Sequence, residues 1–316
     1  MSLKEFSLSN ILEVQPFNAP IQWESVFDKA APLYVEIGFG YGEVLLRDAQ
    51  ANPGTNYVGI EQHWERIYKT LRHLSLIRSN PEGKFFSFRN VRIVKVDARI
   101  AFERYFYTGS IDQIMCLFPC PWPKKGHIKH RLFSRDFLRM LNNRLKKNGC
   151  VQVVTDFEPY GDWILSQIQR TGFACQTKRI PPRFRTKFEK KWQEEGHADF
   201  FEINLTKKRH IHVPVKEGVP LKAYRLRNFD PEKISFLDQT GPVSVIYKEL
   251  FYDAKRQWAM VHLVVSEDYL TQHFWVTIKK VKDFWRICKA DGQTFFPTPG
   301  VARAIEFVYE MAKKST

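Results

Sequence analysis

No apolar run in the chain approaches the ~20 residues that a helix needs to cross a membrane. No membrane partner is therefore expected. Residues 1–10 mix Lys4 and Glu5 with polar side chains and hold no apolar stretch of signal-peptide length. Cysteine is scarce: there are five (Cys116, Cys120, Cys150, Cys175 and Cys288), an odd number without a CxxC pair. That argues against a disulfide framework or a zinc site and for a reducing compartment. A cytoplasmic location is expected, with a monomer or homodimer as the assembly. No internal repeat or low-complexity tract interrupts the 316 residues. Acid is short as well: 34 Asp and Glu face 49 Lys and Arg, a formal charge of +15.

What is present can build a core, because 44% of the residues are hydrophobic and 15% aromatic, which rules out a disordered chain. Excess positive charge constrains partners rather than fold, and nucleic acid is the commonest polyanion such a protein meets. An ordinary basic surface is the alternative, so the placement of the charge decides. Residues 124–147 hold nine Lys and Arg against one acid, Asp136, and residues 178–191 hold seven against one, Glu189. Two dense basic stretches inside a globular region point to a face that contacts phosphates.

Over the first ~205 residues, short apolar runs alternate with helix-like segments, the rhythm of a parallel sheet covered by helices. The runs are 33–37, 57–60, 91–96, 111–118, 150–155, 173–178 and 200–205. Val44, Leu45 and Ala49, and then Ile67, Leu71 and Leu74, have helical spacing. A further helix is expected from Ser134 to about Lys147, with Gly149 as its left-handed cap. Residues 207–220, with Pro214, Gly218 and Pro220, look like a connection. The runs 243–252, 257–266, 273–282 and 284–289 then alternate apolar and polar residues, as an antiparallel meander does. Thr298-Pro299 opens a last helix. The expected division is 1–208, a linker at 209–220, and 221–316.

The first run ends in Glu36-Ile37-Gly38-Phe39-Gly40-Tyr41-Gly42. A strand leading into glycines and a helix lets backbone approach a nucleotide closely. The spacing is not that of a dinucleotide fingerprint, and a carboxylate two residues ahead of the first glycine would repel pyrophosphate. It suits a cationic cofactor such as S-adenosylmethionine, which carries an ammonium and a sulfonium. Glu61 ends the second run, where a ribose hydroxyl acceptor sits in nucleotide-binding α/β folds. Asp97 ends the third, within reach of an adenine amino group. A single acid in such a place is more often a solvated loop residue; three at consecutive strand ends make a pattern.

The fourth run leads into Phe118-Pro119-Cys120-Pro121-Trp122-Pro123-Lys124-Lys125, a loop stiffened by three prolines. An exposed Trp beside paired lysines could face a base and its phosphate. His127 and His130 could be metal ligands, but no third ligand follows at suitable spacing, so no metal is expected. Here the sequence resembles the tRNA (guanine-N7)-methyltransferases, from about Tyr34 to Lys207. The matching motifs are EIGFGYG, GIE, DA, FPxPWPKKxHxKxRL, TDFEPY and TKFEKKWQEEGH.

The resemblance implies an α/β, Rossmann-like class I methyltransferase fold. Its seven-stranded, mostly parallel sheet would carry helices on both faces, with a small α+β C-terminal domain added. It also implies S-adenosyl-L-methionine as cofactor and tRNA as partner, with G46 of the variable loop as the usual target. Carried over, Glu36, Gly38, Gly40, Gly42, Glu61, Asp97, Ala98 and Cys120 would bind the cofactor. Lys124, Asp156, Thr186, Lys187, Phe188 and Glu189 would hold the guanosine, and Lys125, Lys129, Arg131, Arg183 and Arg185 the RNA phosphates. The catalytic candidates are Cys120 and Asp156.

Three departures stand against the resemblance. Cys120 occupies a position that is usually an acid in the family. The short amino-terminal segment, with Trp23 and Phe27 at helical spacing, replaces a longer basic arm. The last ~100 residues are not covered; from Arg209 they hold 17 basic and 12 acidic residues, fitting either a tRNA clamp or a stabilising module. Guanine N7 is a bare lone pair, so its methylation needs positioning more than a general base. A methyltransferase acting on another RNA, and an impaired tRNA-binding relative, remain as alternatives.

Overall fold

The structure, a computed structural model, describes residues 8–13, 20–78, 88–196 and 198–316. His197, which ends the TKFEKKWQEEGH motif, and Lys4 and Glu5 lie outside the described residues. The chain forms two compact units that divide between Lys216 and Glu217.

In chain order the first unit contains α1 (Trp23–Phe27), β1 (Leu33–Ile37), α2 (Glu43–Ala51), β2 (Asn56–Glu61), α3 (Trp64–Arg78), β3 (Val91–Lys95), α4 (Ala98–Arg104) and β4 (Ile111–Leu117). A short 3-10 helix (Lys125–His130) follows, then α5 (Arg135–Arg144), β5 (Leu145–Thr155), α6 (Glu158–Gln167), β6 (Phe173–Ile180), α7 (Lys187–Glu194) and β7 (Phe200–Lys207). One seven-stranded sheet results, in the order β3-β2-β1-β4-β5-β7-β6. β7 alone runs against its neighbours; β1 to β5 pair in parallel. Leu33, Val35 and Ile37 are buried, as are Val58 and Ile60, which is why these strands read as continuous apolar runs. This is the seven-stranded, mostly parallel sheet that the resemblance implies. The amino-terminal segment extends its far edge: Leu12 N–H donates to the Ile93 carbonyl at 2.9 Å and Ile93 N–H to that of Asn10 at 2.7 Å. Trp23 stacks on Phe106 at 5.2 Å between ring centres, so the first helix seats on the residues that follow α4.

Two local expectations are corrected. The helix expected to reach Lys147 ends at Arg144, where Leu145 turns extended and β5 begins. Asn148, at φ +63°, takes the left-handed conformation expected of Gly149. Gly149 instead meets crowding: a Cβ there would stand 3.0 Å from the Asp112 carbonyl. The segment expected as a linker is fixed in its first half. Asn142 Nδ2 donates to the Arg209 carbonyl, Asn143 Nδ2 to that of Ile211, and the buried Arg144 guanidinium to those of Val213 and Pro214.

The second unit contains β8 (Tyr224–Leu226), β9 (Val243–Asp253), β10 (Trp258–Glu267), β11 (Leu270–Val281), β12 (Phe284–Lys289) and α8 (Pro299–Lys314). Its antiparallel sheet runs β8-β12-β11-β10-β9. Val301, Ile305 and Val308 of α8 join Val261, Val276 and Ile287 in the core. Thr298 caps α8, its hydroxyl accepting from Val301 N–H.

Candidate active site

The carboxyl ends of β1, β2, β3 and β4 converge on a cavity of about 520 Å³. Gly38, Glu61, Asp97 and Ala98 line it, with Cys120 and Trp122 from the proline-stiffened loop. Beside it lies a cavity of about 250 Å³, lined by Glu36, Gly40, Tyr41, Glu43, Thr186 and Phe188. Gly38, Arg66, Leu117, Phe118 and Cys120 belong to both walls. Gly38, at φ +69°, has nothing within 4 Å of where a Cβ would stand. The thiol of Cys120, exposed and unpaired with another cysteine, stands at the junction.

Glu36 is 6% exposed, and its Oε2 has no hydrogen-bond partner. Burial, with Asp48 and Glu43 adding to it against Arg47, pushes its carboxyl up to about 8. A buried carboxyl with an unmet oxygen on a cavity wall suits a cationic ligand group. Glu61 Oε1 accepts from the backbone N–H of Gln62 and His63 at 2.8 and 3.0 Å, and its Oε2 lies 3.3 Å from Arg66. Asp97 caps α4, accepting from Arg99 N–H at 2.7 Å, and also binds the side chain of Gln62. Both carboxylates keep lone pairs for hydroxyl or amino donors. The larger cavity thus fits a nucleoside: two acceptors at its polar end and Ile37, Ile60, Val96 and Leu132 as apolar wall. Gly40 borders only the smaller cavity. Gly42 borders neither; at φ +73° it starts α2, and a Cβ there would come within 2.5 Å of Thr70.

The smaller cavity is held from the other side by the loop before α7. Thr186 caps that helix, its hydroxyl accepting from Glu189 N–H at 3.1 Å. Glu189 is 1% exposed and does not face the cavity. Its Oε1 accepts from Arg183 and Phe184 N–H at 2.7 and 3.0 Å, and its Oε2 from Arg185 N–H. Its expected contact with guanosine is corrected: the carboxylate lies outside the cavity wall, buried and turned to three loop amides. Lys187 N–H donates to Glu43, which ties this loop to the glycine turn. Tyr41 and Phe188 stand parallel, 6.5 Å between centres and 9° between planes, with Lys187 5.4 Å from the centre of the Tyr41 ring. Asp156 follows β5, half-buried, and lies in neither cavity wall.

The basic residues separate into two groups. Lys124, Lys125, Lys129 and Arg185 have exposed side chains. Arg131 is buried, donates to the Pro121 carbonyl at 2.9 Å, and covers the rings of Tyr160 and Trp163. It braces the proline loop, which corrects its expected role at RNA phosphates. Arg183 is exposed but paired with the fully buried Glu202, which also pairs with Lys178 at 3.0 Å, so the cluster keeps one positive charge. His127 and His130 pack against Trp122, and no group of three or more potential metal ligands forms among the described residues. Trp122 and Phe118 hold positive φ, +43° and +51°, so the loop is strained at the wall of the larger cavity and, at Phe118, of the smaller one too. Gln62 and Arg66 also line the larger cavity without a motif that marks them in the sequence, and Tyr41, inside the glycine turn, lines the smaller. The signal for Gln62 and Arg66 was their place just after a strand end and in the first turn of the next helix.

Residues 30–201 match a family described as putative methyltransferase. A tRNA (guanine-N(7)-)-methyltransferase of Chlorobium phaeobacteroides is 40% identical over 192 residues, 60% of this chain and 90% of that one. Proteins of the same name from Thermotoga maritima and Thermus thermophilus are 32% and 33% identical; the match covers 65% of this chain in each case, and 65% and 62% of theirs. The chain thus spans just under two thirds of those two relatives. Among solved structures, a 16S rRNA methyltransferase is 12% identical with a TM-score of 0.45, over 65% of this chain and 96% of its own. With more than half of its length matched by the family, and nearly all of the Chlorobium relative covered, the chain belongs to the tRNA (guanine-N(7)-)-methyltransferases.

Proposed function

We propose that the protein methylates N7 of a guanine in tRNA, with G46 of the variable loop as the target and S-adenosyl-L-methionine as the methyl donor. The observation that carries this reading is the pair of cavities sharing the wall of Gly38, Phe118 and Cys120. One is sized for a nucleoside cofactor and the other for a base, so two reactants would meet at the junction. S-adenosylmethionine supplies an electrophilic methyl group on a sulfonium. Glu61 and Asp97 accept from the hydroxyl and amino groups of the nucleoside, and Glu36, on the wall of the smaller cavity beside the shared Gly38, takes the ammonium as the methionine end reaches past that glycine. Tyr41 and Phe188 offer flat faces to the guanine, which leaves its stack at a cost of about a few kcal/mol. N7 has no proton to lose, so the chain positions the lone pair and removes nothing from it. Gly38 leaves the path between the cavities unobstructed.

Lys124, Lys125, Lys129 and Arg185 hold the backbone phosphates in this reading, and Lys124 and Thr186 frame the guanosine. The test is transfer of labelled methyl to unmodified tRNA, followed by borohydride–aniline cleavage, which cuts at 7-methylguanosine. A cut at nucleotide 46, lost in a transcript with adenosine at that position, supports the reading; label elsewhere redirects it to another RNA position. Cys120 favours a second reading, a relative that binds tRNA but turns over slowly. That reading predicts binding without label, and gain of activity in Cys120→Asp.

A further inference from the structure

A third cavity, of about 450 Å³, opens in the first unit far from the two just described. Leu145 at the start of β5 lines it, together with Lys146, Lys147, Lys207, Lys208 and His210. Leu145 pairs with Ile111, the first residue of β4, whereas the cofactor cavity is lined by Leu117, the last. Six residues of strand put the two sites roughly 20 Å apart, at opposite ends of the sheet. Every titratable residue of the lining is basic, and no acid is among them. Lys146 is neutralised by Asp112 at 2.7 Å. Lys147 and Lys208 are exposed and make no ion pair among the described residues.

Lys207 decides the character of the site. It is 6% exposed, and its ammonium donates to the Leu145 carbonyl at 2.6 Å and lies 3.0 Å from Nδ1 of His210. Neither partner carries negative charge, and no carboxylate reaches this lysine among the described residues. Buried cations are ordinarily paired, because an isolated one costs several kcal/mol or gives up its proton. Burial lowers the Lys207 pKa, and burial, Lys207 and then His212 lower that of His210. A cavity with a buried, uncompensated ammonium beneath two free lysines is complementary to a multiply charged anion.

We propose that this cavity is a phosphate-group site, with Lys207 beneath the anion and Lys147 and Lys208 at its mouth. It is independent of the methyl-transfer reading. Phosphate is favoured over carboxylate because three lysines without an acid partner among the described residues line one cavity, which matches a dianion. The group could come from an RNA backbone or from a free phosphorylated metabolite, and the experiment separates the two.

The full chain is titrated with inorganic phosphate at constant ionic strength, chloride serving as control, while the histidine ring protons are followed by NMR. His210→Gln assigns the signal among the nine histidines. Phosphate, but not chloride, is expected to move the His210 signal saturably and to raise its titration midpoint, since an anion favours the protonated ring. Lys147→Gln and Lys208→Gln, both exposed, should each weaken that response about tenfold. If unmodified tRNA displaces the phosphate, and Lys208→Gln lowers the salt slope of tRNA binding by roughly 0.7–0.9, the source is an RNA backbone. If tRNA does not compete while pyrophosphate or ATP does, the source is a free phosphorylated molecule. An equal response to chloride, or responses unchanged in both lysine variants, would overturn the proposal.

Discussion

Glu36 offers the sharpest test of the cofactor site, because its charge must change when a cation arrives. In the free protein, burial holds its carboxyl at about 8, with Asp48 and Glu43 adding to the rise and Arg47 opposing it. At pH 7 about a tenth of the molecules therefore carry the carboxylate. A ligand ammonium needs the ionised form, so affinity at pH 7 should sit about tenfold below its high-pH plateau, roughly 1.4 kcal/mol. Folding runs the other way. Between the unfolded value of 4.5 and the folded value of about 8, the folded chain keeps a proton that the unfolded chain has released. That contribution to stability is complete below the lower value and is lost as pH rises through the upper one. Calorimetry of S-adenosylmethionine binding at pH 7, in buffers of different ionisation enthalpy, counts the protons released. Glu36→Gln is the reference, because the ligand's own amine titrates in the same range and cancels in the difference. Wild type is expected to release nearly one proton more than the variant. Equal proton counts, with the same pH dependence of affinity in both proteins, would refute the assignment.

Other outcomes follow from the same geometry. Cys120→Ala should keep methyl transfer within about tenfold of wild type, since N7 needs no base, whereas Cys120→Asp should raise kcat/KM by ~10- to 100-fold through a charged hydrogen bond. Loss of all turnover in Cys120→Ala would instead assign the thiol a chemical step. Glu189→Ala strands three loop amides and should cost ~1–3 kcal/mol in thermal or denaturant unfolding. It should also raise KM for tRNA while calorimetry shows cofactor affinity nearly unchanged. Arg144→Met removes the donor to four carbonyls, those of Phe102, Glu103, Val213 and Pro214, and should destabilise the first unit by at least ~2 kcal/mol in a urea titration. Glutamine at Lys124, Lys125 or Lys129 should each reduce the log–log salt slope of tRNA binding by roughly 0.7–0.9, while Arg183→Gln should reduce it by less, because Arg183 and Lys178 share the single carboxylate of Glu202.

The sheet was legible because its strands announce themselves locally. A strand buried on both faces must be apolar nearly throughout, and 57–60 and, apart from Glu36, 33–37 are. β8 is three residues long and half-buried, too short to set a pattern, and was missed. The end of α5 was misplaced for a different reason. Asn148-Gly149 looks like a helix cap, yet Leu145 already pairs with Ile111, so tertiary pairing pulls the chain into β5 before any cap forms.

The site divides along the same line. That acids stand at the ends of β1, β2 and β3 is a local fact, readable from where apolar runs stop. What each acid does depends on which donors the fold brings to it. Glu36 receives none at Oε2, Glu61 receives two amides and Arg66, and Glu189 is taken up by the loop before its own helix. A carboxylate's availability to a ligand is thus the remainder after intramolecular donors are satisfied. Charge counting fails for the same reason. Arg131 and Arg183 sit in the two basic stretches, but one is spent on Pro121, Tyr160 and Trp163, and the other shares the buried Glu202 with Lys178. Lys207, outside both stretches, is left facing a cavity without a counter-charge. Where a cation can meet phosphate is set by the pairing that folding leaves undone, not by its density along the chain.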